Sequence, residues 1–409
     1  MITPAFNITA TERVLPRLAL DFTTAALDAR VTVTRALNTA TRFNNSGYVE
    51  TVNANLPRFD YDPLTLQCRG LLIEETRQNL LLQSKTFSST WSIGTSVLLT
   101  AAAAISPDGT QNAFKLIENT NTGGHQLVQS VTTTATATAY GVFAKRGERN
   151  WIALGITDSG STVRISYFDL LNGVKGTTAT GVTSSITSVG NGWYWCVCVV
   201  GTALAGSNNA RIYVTTADNT TSYTGDGTSG LYIWQADLQP GAFMTSPIFT
   251  TTTSLTRNAD VVSMTGTNFS NWYNATEGAF VIKFSPATDA AKFPVSVSDG
   301  TNNNRMQIMS WSSRQGQIVN GNVDQALFDN GSVIPQSFNT VCMAYKLNNS
   351  ALSIGGAVPA TDPGCTIPSV DRLFFGNATS GGDVINGHIA EFNYFPQRLI
   401  NNEVRAFAV

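Results

Sequence analysis

The chain has 409 residues, of which 42% are hydrophobic and 13% are charged, and its formal net charge is −2. This length predicts two or three domains with real hydrophobic cores, which excludes a disordered chain. The low charge, the lack of a long apolar run and an N-terminus without a basic start argue against phosphate-directed binding of nucleic acid, a membrane span and a secretory signal.

Residues 1–62 have a mixed pattern within a chain that is rich in Thr, Ser, Asn and Gly, a composition typical of turn-rich β structure. Val31–Thr34 and Tyr48–Val52 alternate between apolar and polar residues, as strands do. The segment is too short to bury much surface by itself. We therefore predict that it forms an anchoring and oligomerisation module, which packs against a partner subunit or the next domain.

Residues 63–82 are the expected junction, within the stretch PRFDYDPLTLQCRGLLIEETRQNLLL that starts at Pro57. Pro57 and Pro63 favour extended backbone. The apolar runs Leu71–Ile73 and Leu80–Leu82 follow. Such a segment could lie along one domain and enter the next, which would clamp the two together.

Residues 83–250 are predicted to fold as a jelly-roll sandwich, because roughly eight short strands are separated by turn signals. The candidate strands are Ala113–Ile117, Gln126–Val131, Ala139–Ala144, Trp151–Ile156, Val163–Asp169, Trp193–Val200, Ala210–Thr215 and Gly230–Asp237. In one of them, Cys196 and Cys198 share a face, while Trp193 and Trp195 share the other. Residues 251–262 are interpreted as a Thr-rich linker, or as a strand that closes this sandwich.

Residues 263–409 repeat the β pattern and are predicted to form a second sandwich. The candidate strands are Gly278–Ser285, Pro294–Val297, Met306–Trp311, Thr340–Leu347, Leu352–Ile354, Arg372–Gly376 and His388–Phe395. Pro396 then precedes a short predicted helix, Asn401–Ala408.

The segment PRFDYDP…GLLIEETRQNLLLQS resembles one found in many virion proteins of tailed phages. The upstream run LALDFTTAALDARVTVTRALNTATRF and the downstream run RIYVTTADNTTSYTGDGTSGLYIWQADLQPGAFMTSPI extend this resemblance over roughly residues 18–248. The C-terminal GHIAEFNYFPQRL resembles the closing strand of concanavalin-A-like, laminin-G-like sandwiches. The resemblance implies a virion structural or fibre protein with a carbohydrate-binding-like jelly roll and a C-terminal lectin-like sandwich.

We therefore expect an all-β fold of two tandem β-sandwiches, jelly-roll and lectin-like, after a small N-terminal anchoring module. The expected function is that of a non-enzymatic fibre, spike or decoration subunit of a phage virion, assembled in the cytoplasm of the host bacterium. Its partners would be capsid, portal or tail proteins and further copies of itself, and it would adsorb weakly to host surface polysaccharide through many copies. A purely structural capsid decoration or tail protein without a ligand is the alternative.

Catalysis is not expected, because the two histidines, His125 and His388, lack a nucleophile elbow G-x-S-x-G beside them. A glycosidase needs two carboxylates that flank the scissile bond, and the acidic residues here are few and scattered. A polysaccharide depolymerase stays as a less favoured alternative.

Exposed aromatic rings beside polar loops are the candidates for sugar contacts. Trp272 and Tyr273 in SNWYNAT and Trp311 in SWSSRQG meet this description, although packing in a core or an interface is the competing interpretation. In the loop DNTTSYTGDGTS, Asp218 and Asp226 could hold a structural Ca²⁺, with a simple Gly-rich turn as the alternative. No other cofactor is predicted. Cys342 and Cys365 could pair, but two reduced thiols are favoured there, as are buried free thiols at Cys196 and Cys198.

Overall fold

The computed structural model describes residues 15–37, 39–93, 96–379 and 381–409, and their secondary structure is almost entirely antiparallel strand. The strands before residue 80 are β1 Leu18–Asp21, β2 Thr32–Thr34, β3 Ala40–Phe43, β4 Val49–Val52, β5 Phe59–Tyr61, β6 Cys68–Ile73 and β7 Arg77–Asn79. A 3₁₀ turn, Phe22–Thr24, follows β1.

The middle of the chain forms a continuous set of strands. They are β8 Val97–Ala104, β9 Ala113–Glu118, β10 Thr122–Gly123, β11 His125–Thr133, β12 Thr138–Arg146, β13 Trp151–Thr157, β14 Val163–Asp169, β15 Val174–Thr178, β16 Val182–Ser188, β17 Trp193–Val200, β18 Gly206–Thr215, β19 Tyr223–Thr224 and β20 Gly230–Pro240.

The last part of the chain returns to β structure and ends in a short helix. Its strands are β21 Leu255–Arg257, β22 Val261–Thr265, β23 Glu277–Pro286, β24 Val295–Ser298, β25 Arg305–Trp311, β26 Arg314–Asn320, β27 Val323–Phe328, β28 Asn339–Lys346, β29 Ser350–Ile354, β30 Ala360–Asp362, β31 Arg372–Phe375 and β32 Gly387–Phe395. The helices are α1 Thr267–Ser270 and α2 Asn401–Ala406.

One sandwich is contiguous in sequence, and we call it the inserted sandwich. Its sheets have the strand orders β11-β18-β13-β14-β15 and β16-β17-β12-β20-β9-β8. Inward-facing side chains of both sheets form one core, which includes Leu154, Ile212, Val142 and Leu231. Cys196 and Cys198 also lie in this core as free thiols.

The other sandwich is built from both ends of the chain, and we call it the two-part sandwich. One sheet has the order β30-β29-β28-β23-β32-β6-β5, and the other has the order β2-β22-β31-β24-β25-β26-β27. Strand β1 also pairs with β32, with Leu18 opposite Tyr394, while β6 pairs with the other end of β32, with Ile73 opposite Gly387. The first and last strands of the described chain are therefore neighbours.

This topology confirms the all-β class and corrects the expected domain boundaries. Residues 18–61 do not stand apart as an anchoring module, because β1, β2 and β5 are paired strands of the two-part sandwich. The expected linker 251–262 contains β21 and the start of β22. The physical reason is that short strands with one apolar face gain stability only when they join a larger sheet.

A two-stranded ribbon marks where the chain leaves and re-enters the two-part sandwich. Strand β7 pairs with β21, with Arg77 opposite Arg257. The hairpin of β3 and β4 instead packs on the outer face of the inserted sandwich, where Val49 joins Phe143, Trp193 and Trp234. The N-terminal part of the chain therefore contacts both sandwiches.

Five buried charged side chains close the space between the sandwiches, and we call them the seam cluster: Arg35, Arg58, Glu74, Arg257 and Asp260. Arg58 lies 2.6 Å from Glu74 and also pairs with Asp260. Arg35 lies 2.7 Å from Asp260, and Arg257 lies 2.9 Å from Glu74. Each carboxylate therefore has two guanidinium partners, the arrangement that makes buried ions tolerable.

Ser246, from the loop that follows β20, extends the seam cluster into the inserted sandwich. Its backbone N–H donates to Glu74 Oε1 at 2.7 Å, and its hydroxyl donates to Oε2 at 2.6 Å. Burial raises the pKa of Glu74, but Arg257 and Arg58 lower it further, so that the pKa is about 2. Glu74 therefore binds groups from both sandwiches.

Candidate functional site

A cleft of about 790 Å³ opens between the two sandwiches, beside the seam cluster. One wall is the outer face of β16 and β17 in the inserted sandwich. The opposite wall comes from β5, β6 and the first residues of β32 in the two-part sandwich, and the loop 242–247 completes the lining. Concave sites at domain junctions, lined by aromatic side chains and a few polar groups, are the usual place for small ligands.

Trp195 on β17 provides the aromatic surface of this cleft. Its indole stacks on Phe143 of the neighbouring strand β12, with ring centroids 4.0 Å apart. It lies flat over the strand because Gly141 has no side chain: a Cβ there would be 2.9 Å from the indole and 3.0 Å from Met244. Trp195 is half-buried, so part of its ring surface is open to a ligand.

Strand β16 forms a hydroxyl-rich edge next to this ring. Thr183, Ser185 and Thr187 point outward and are exposed, and all three line the cleft. Val182 and Ile186 alternate with them and pack against the inserted core. The edge therefore offers a row of hydroxyl donors and acceptors beside a flat aromatic surface.

The charged side chains on the opposite wall are mostly engaged within the protein. Asp60 accepts hydrogen bonds from Phe43 N–H at 2.8 Å and lies 2.8 Å from His388 Nε2. Arg42 pairs with Glu50 at 2.8 Å. Arg69 also lines the cleft, and its charge helps to lower the pKa of Asp62.

Two carboxyl groups that line the cleft, those of Asp62 and Glu74, have lowered pKa values. Burial raises the pKa of Asp62, but hydrogen bonds from the N–H groups of Thr65 and Leu64 lower it further, and the net shift is downward. The pKa of Glu74 is lowered as well. Burial raises the pKa of Asp237 to about 7, but this carboxyl is fully buried and does not line the cleft. The expectation of no catalysis stays a prediction.

The sequence-predicted sugar contacts at Trp272 and Tyr273 are corrected by their packing. Trp272 is 1% exposed and lies in the core of the two-part sandwich, 4.8 Å from the Tyr394 ring. Tyr273 stacks on Phe269 at 4.7 Å. The polar residues around them in the sequence suggested a surface loop, but α1 turns the two rings into the core. Neither residue lines the cleft.

Trp311 is half-buried at the end of β25, where a tight turn leads into β26. It lies outside the cleft lining, so its assignment to sugar contacts stays a prediction.

Asp218 and Asp226 belong to separate hydrogen-bond networks. Asp218 accepts from Thr177 N–H at 2.8 Å and from the Thr177 hydroxyl at 2.9 Å. Asp226 accepts from Thr228 and Ser229 N–H groups of its own turn, and the Ser229 hydroxyl and backbone lower its pKa. The residues that the structure describes contain no group of three or more His, Cys, Asp or Glu side chains able to hold a metal. The assignment of a shared Ca²⁺ site to Asp218 and Asp226 stays a prediction.

The remaining candidates are structural. Both ring nitrogens of His125 face backbone carbonyl oxygens, of Ser96 at 2.9 Å and of Tyr223 at 3.2 Å. Cys342 and Cys365 are free and buried, which confirms the interpretation as reduced thiols.

In the described ranges, no helix has the length and apolar character needed to span a bilayer.

Sequence reasoning missed β16 and assigned no ligand role to Trp195. The placement of Trp193 and Trp195 on the face of the strand opposite Cys196 and Cys198 was predicted and is confirmed. Two signals were available in the sequence. One was a tryptophan on the face of a strand opposite two cysteines. The other was the preceding segment VTSSITS, in which Val182 and Ile186 are four residues apart and the other residues carry hydroxyl groups. The opposite wall of the cleft, formed by β5, β6 and β32, could not be recognised in the sequence, because these strands are far apart along the chain.

No protein-family model matches the chain. No curated protein matches it either.

Several solved structures share parts of the β architecture. The IT-sialidase CBM40 of Ruminococcus gnavus bound to α2,6-sialyllactose is 19% identical and covers 33% of this chain and 85% of its own, with a TM-score of 0.29. Trypanosoma rangeli sialidase with 2,3-difluorosialic acid is 10% identical and covers 72% of this chain and 60% of its own, with a TM-score of 0.28. Domains LG4-5 of the mouse laminin α1 chain are 9% identical and cover 81% of this chain and 91% of their own, with a TM-score of 0.24. At such low scores these likenesses say nothing about what this protein binds.

Proposed function

We propose that the protein is a non-enzymatic glycan-binding protein whose sugar site is the cleft between the two sandwiches. The observation that carries this proposal is the placement of the Trp195 ring, flat on the sheet and partly exposed, next to the hydroxyl edge of β16. A pyranose ring has an apolar face and a rim of hydroxyl groups. The flat indole fits the apolar face, and Thr183, Ser185 and Thr187 fit the rim.

The seam cluster supports this assignment because it fixes the two walls of the cleft. Glu74 and Asp260 hold guanidinium groups from three separate segments of the chain. Ser246 joins the loop that completes the cleft lining to Glu74. A site whose walls are held in place loses less conformational entropy on binding than a hinge between mobile domains.

We also propose that the protein is a structural component of a tailed-phage virion, as a fibre, spike or decoration subunit. The support is the resemblance of roughly residues 18–248 to phage virion proteins. On this proposal the N-terminal part attaches the subunit to capsid, portal or tail proteins, copies of the chain associate, and many weak sites adsorb the particle to host polysaccharide.

The glycan proposal is tested with the full chain displayed multivalently on an array of bacterial surface polysaccharides and neutral oligosaccharides. We expect binding to at least one glycan that Trp195→Ala weakens by about tenfold or more, the loss of roughly 1.4 kcal/mol of contact. Ser185→Arg should block binding as well, because it fills the cleft from an exposed position without removing a packed ring.

Trp311→Ala is the matched control, because it removes a half-buried tryptophan of the two-part sandwich that lies outside the cleft. Thermal unfolding of each variant separates lost binding from lost folding. Binding that survives Trp195→Ala and disappears in Trp311→Ala would move the site to the β25–β26 turn. A wild-type protein that binds no glycan would favour the purely structural subunit.

The virion proposal has a separate test, which is mass spectrometry of purified particles from a propagating host. We expect the chain to copurify with particles through density-gradient centrifugation. Recovery only in the soluble fraction of the lysate would contradict this role.

A further inference from the structure

We infer that the inserted sandwich carries a second binding site, a groove that recognises the anionic substituent of an acidic glycan. The groove measures about 620 Å³ and lies where β12 leaves the sheet. Its polar lining includes Lys145, Arg146, Tyr194, Tyr232 and Asn191. Lys145 and Arg146 are part of the basic group that stands out in the sequence, and the cleft does not use them.

The first argument is the balance of charge in the groove. The side chains of Lys145 and Arg146 have no hydrogen-bond or ion-pair partner among the residues that the structure describes. Glu148 also lines the groove, but it is already paired with Lys115 at 2.8 Å and accepts from Gly230 N–H at 3.2 Å. Two cations without partners beside a neutralised acid attract an anion.

The other charges close to the groove are satisfied too. Asp169, next to the lining residue Leu170, accepts from Leu171 N–H at 2.9 Å and from the Asn172 side chain at 2.7 Å. Arg149 pairs with Glu118 and lies 3.3 Å from Asp226. The carboxylates of Asp169, Glu118 and Asp226 therefore already have partners of their own.

The second argument is that the backbone shapes the groove around its polar side chains. Lys145 lies opposite Tyr232 on β20 and opposite Trp193 on β17. Gly192, with φ +78°, lies under the Lys145 stem, where a Cβ would be 3.4 Å from Cε. Gly173, with φ +67°, lies so close to the Tyr194 ring that a Cβ would be 2.7 Å away. Both glycines allow these side chains to lie against turns, which limits their motion.

The ligand class follows from the donors present. Lys145 and Arg146 can each bind a carboxylate or phosphate group at the groove, while the Tyr194 and Tyr232 hydroxyls and the Asn191 amide can bond to sugar hydroxyls. Hexuronic acids and sugar phosphates share this chemistry. The site therefore differs from the cleft, where the hydroxyl edge and the indole suit a neutral ring, and it does not depend on the cleft being a sugar site.

Calorimetric titration of the full chain with three probes tests this inference: a neutral glucose oligosaccharide, an oligosaccharide of galacturonic acid, and glucose 1-phosphate. We expect at least one anionic probe to bind more tightly than the neutral one. Lys145→Gln and Arg146→Gln should each weaken that binding by about tenfold, since each removes a charge-assisted hydrogen bond. A preference for galacturonate identifies a carboxylate ligand, and a preference for the phosphate identifies a phosphorylated one.

Lys175→Gln is the matched control, because Lys175 is an exposed cation of the same sandwich, on β15, outside the groove. An equal loss of affinity in this variant would overturn the inference, since it would show general charge attraction. So would equal affinity for neutral and anionic probes, or no binding of either anionic probe at millimolar concentration. Trp195→Ala distinguishes the two sites. This variant should bind the anionic probe as tightly as the wild type does. If it loses only the binding of the neutral probe, that result concerns the cleft and not the groove.

Discussion

The two sandwiches reach similar architectures by different routes along the chain. The inserted sandwich takes all of its strands from one continuous segment, β8 to β20, whereas the two-part sandwich pairs Leu18 with Tyr394 and Ile73 with Gly387. Non-local pairing costs more loop entropy before any contact forms. The comparison teaches that the inserted sandwich can fold from local sequence, while the two-part sandwich needs both ends of the chain.

The two sandwiches also use polar residues differently. At the base of the two-part sandwich, the seam cluster buries its charges and gives each carboxylate two partners. On its outer face, the inserted sandwich leaves hydroxyl groups and cations open, at β16 and at Lys145 and Arg146. Charges that are fully paired indicate a structural role, and polar groups left open in a concave surface indicate binding.

The largest effect is expected from removal of the N-terminal strands. Deleting residues 1–61 removes β1, β2 and β5 from the two-part sandwich, so we expect this sandwich to unfold while the inserted sandwich keeps its own core. Hydrogen exchange should show protection lost on β23 and β32 and retained on β12 and β17. Undiminished protection of β32 would contradict the shared fold. Loss of particle attachment in this deletion variant could therefore result from unfolding of the two-part sandwich.

Glu74→Gln is expected to destabilise the protein by roughly 3–5 kcal/mol, because Arg58 and Arg257 would stay buried with one carboxylate fewer. Urea unfolding monitored by tryptophan fluorescence measures this effect. Glu391→Gln is the control. Glu391 lies 3.6 Å from Lys283 and both side chains are 43% exposed, so its loss should cost about 1 kcal/mol or less. Equal costs for the two variants would contradict a special role of the seam cluster.

The same carboxylate predicts a pH dependence. Glu74 has an ordinary pKa of 4.5, which the folded protein lowers to about 2. Its contribution is therefore complete above pH 4.5 and is lost as pH falls towards 2, because the unfolded chain takes up the proton first. This contribution amounts to roughly 3 kcal/mol. The stability difference between wild type and Glu74→Gln should shrink over that range, and a difference that stays constant from pH 7 to pH 2 would rule this linkage out.

The smallest effect is expected from Gly141→Ala, which acts on the inserted sandwich alone. The added methyl group would lie 2.9 Å from the Trp195 indole, so the ring must tilt, at a cost of about 1–3 kcal/mol. We expect glycan binding in the cleft to fall along with this modest loss of stability. Gly201→Ala is the control, since its nearest contact would be 3.8 Å away. Unchanged stability and binding in Gly141→Ala would show that the ring does not need to lie flat.

Strand positions were largely predictable, because alternation between two faces is a local property of the sequence. Val163–Asp169 and Trp193–Val200 were predicted with the bounds that the structure has. Strand β16 was missed because its outward residues are hydroxyl-bearing, and its inward Ile186 gives little apolar signal in isolation. The aromatic pair Trp272 and Tyr273 was misplaced because polar neighbours suggested a surface loop.

The sequence by itself determined the all-β class, most strand positions, and the faces of β17 on which Cys196 and Trp195 lie. Tertiary structure alone decided that the N-terminal strands complete the C-terminal sandwich, that Trp272 is buried, and that Trp195 faces a cleft. The reason is physical. A strand's two faces follow from its own residues, but its partners depend on which distant edges and apolar faces remain to be covered.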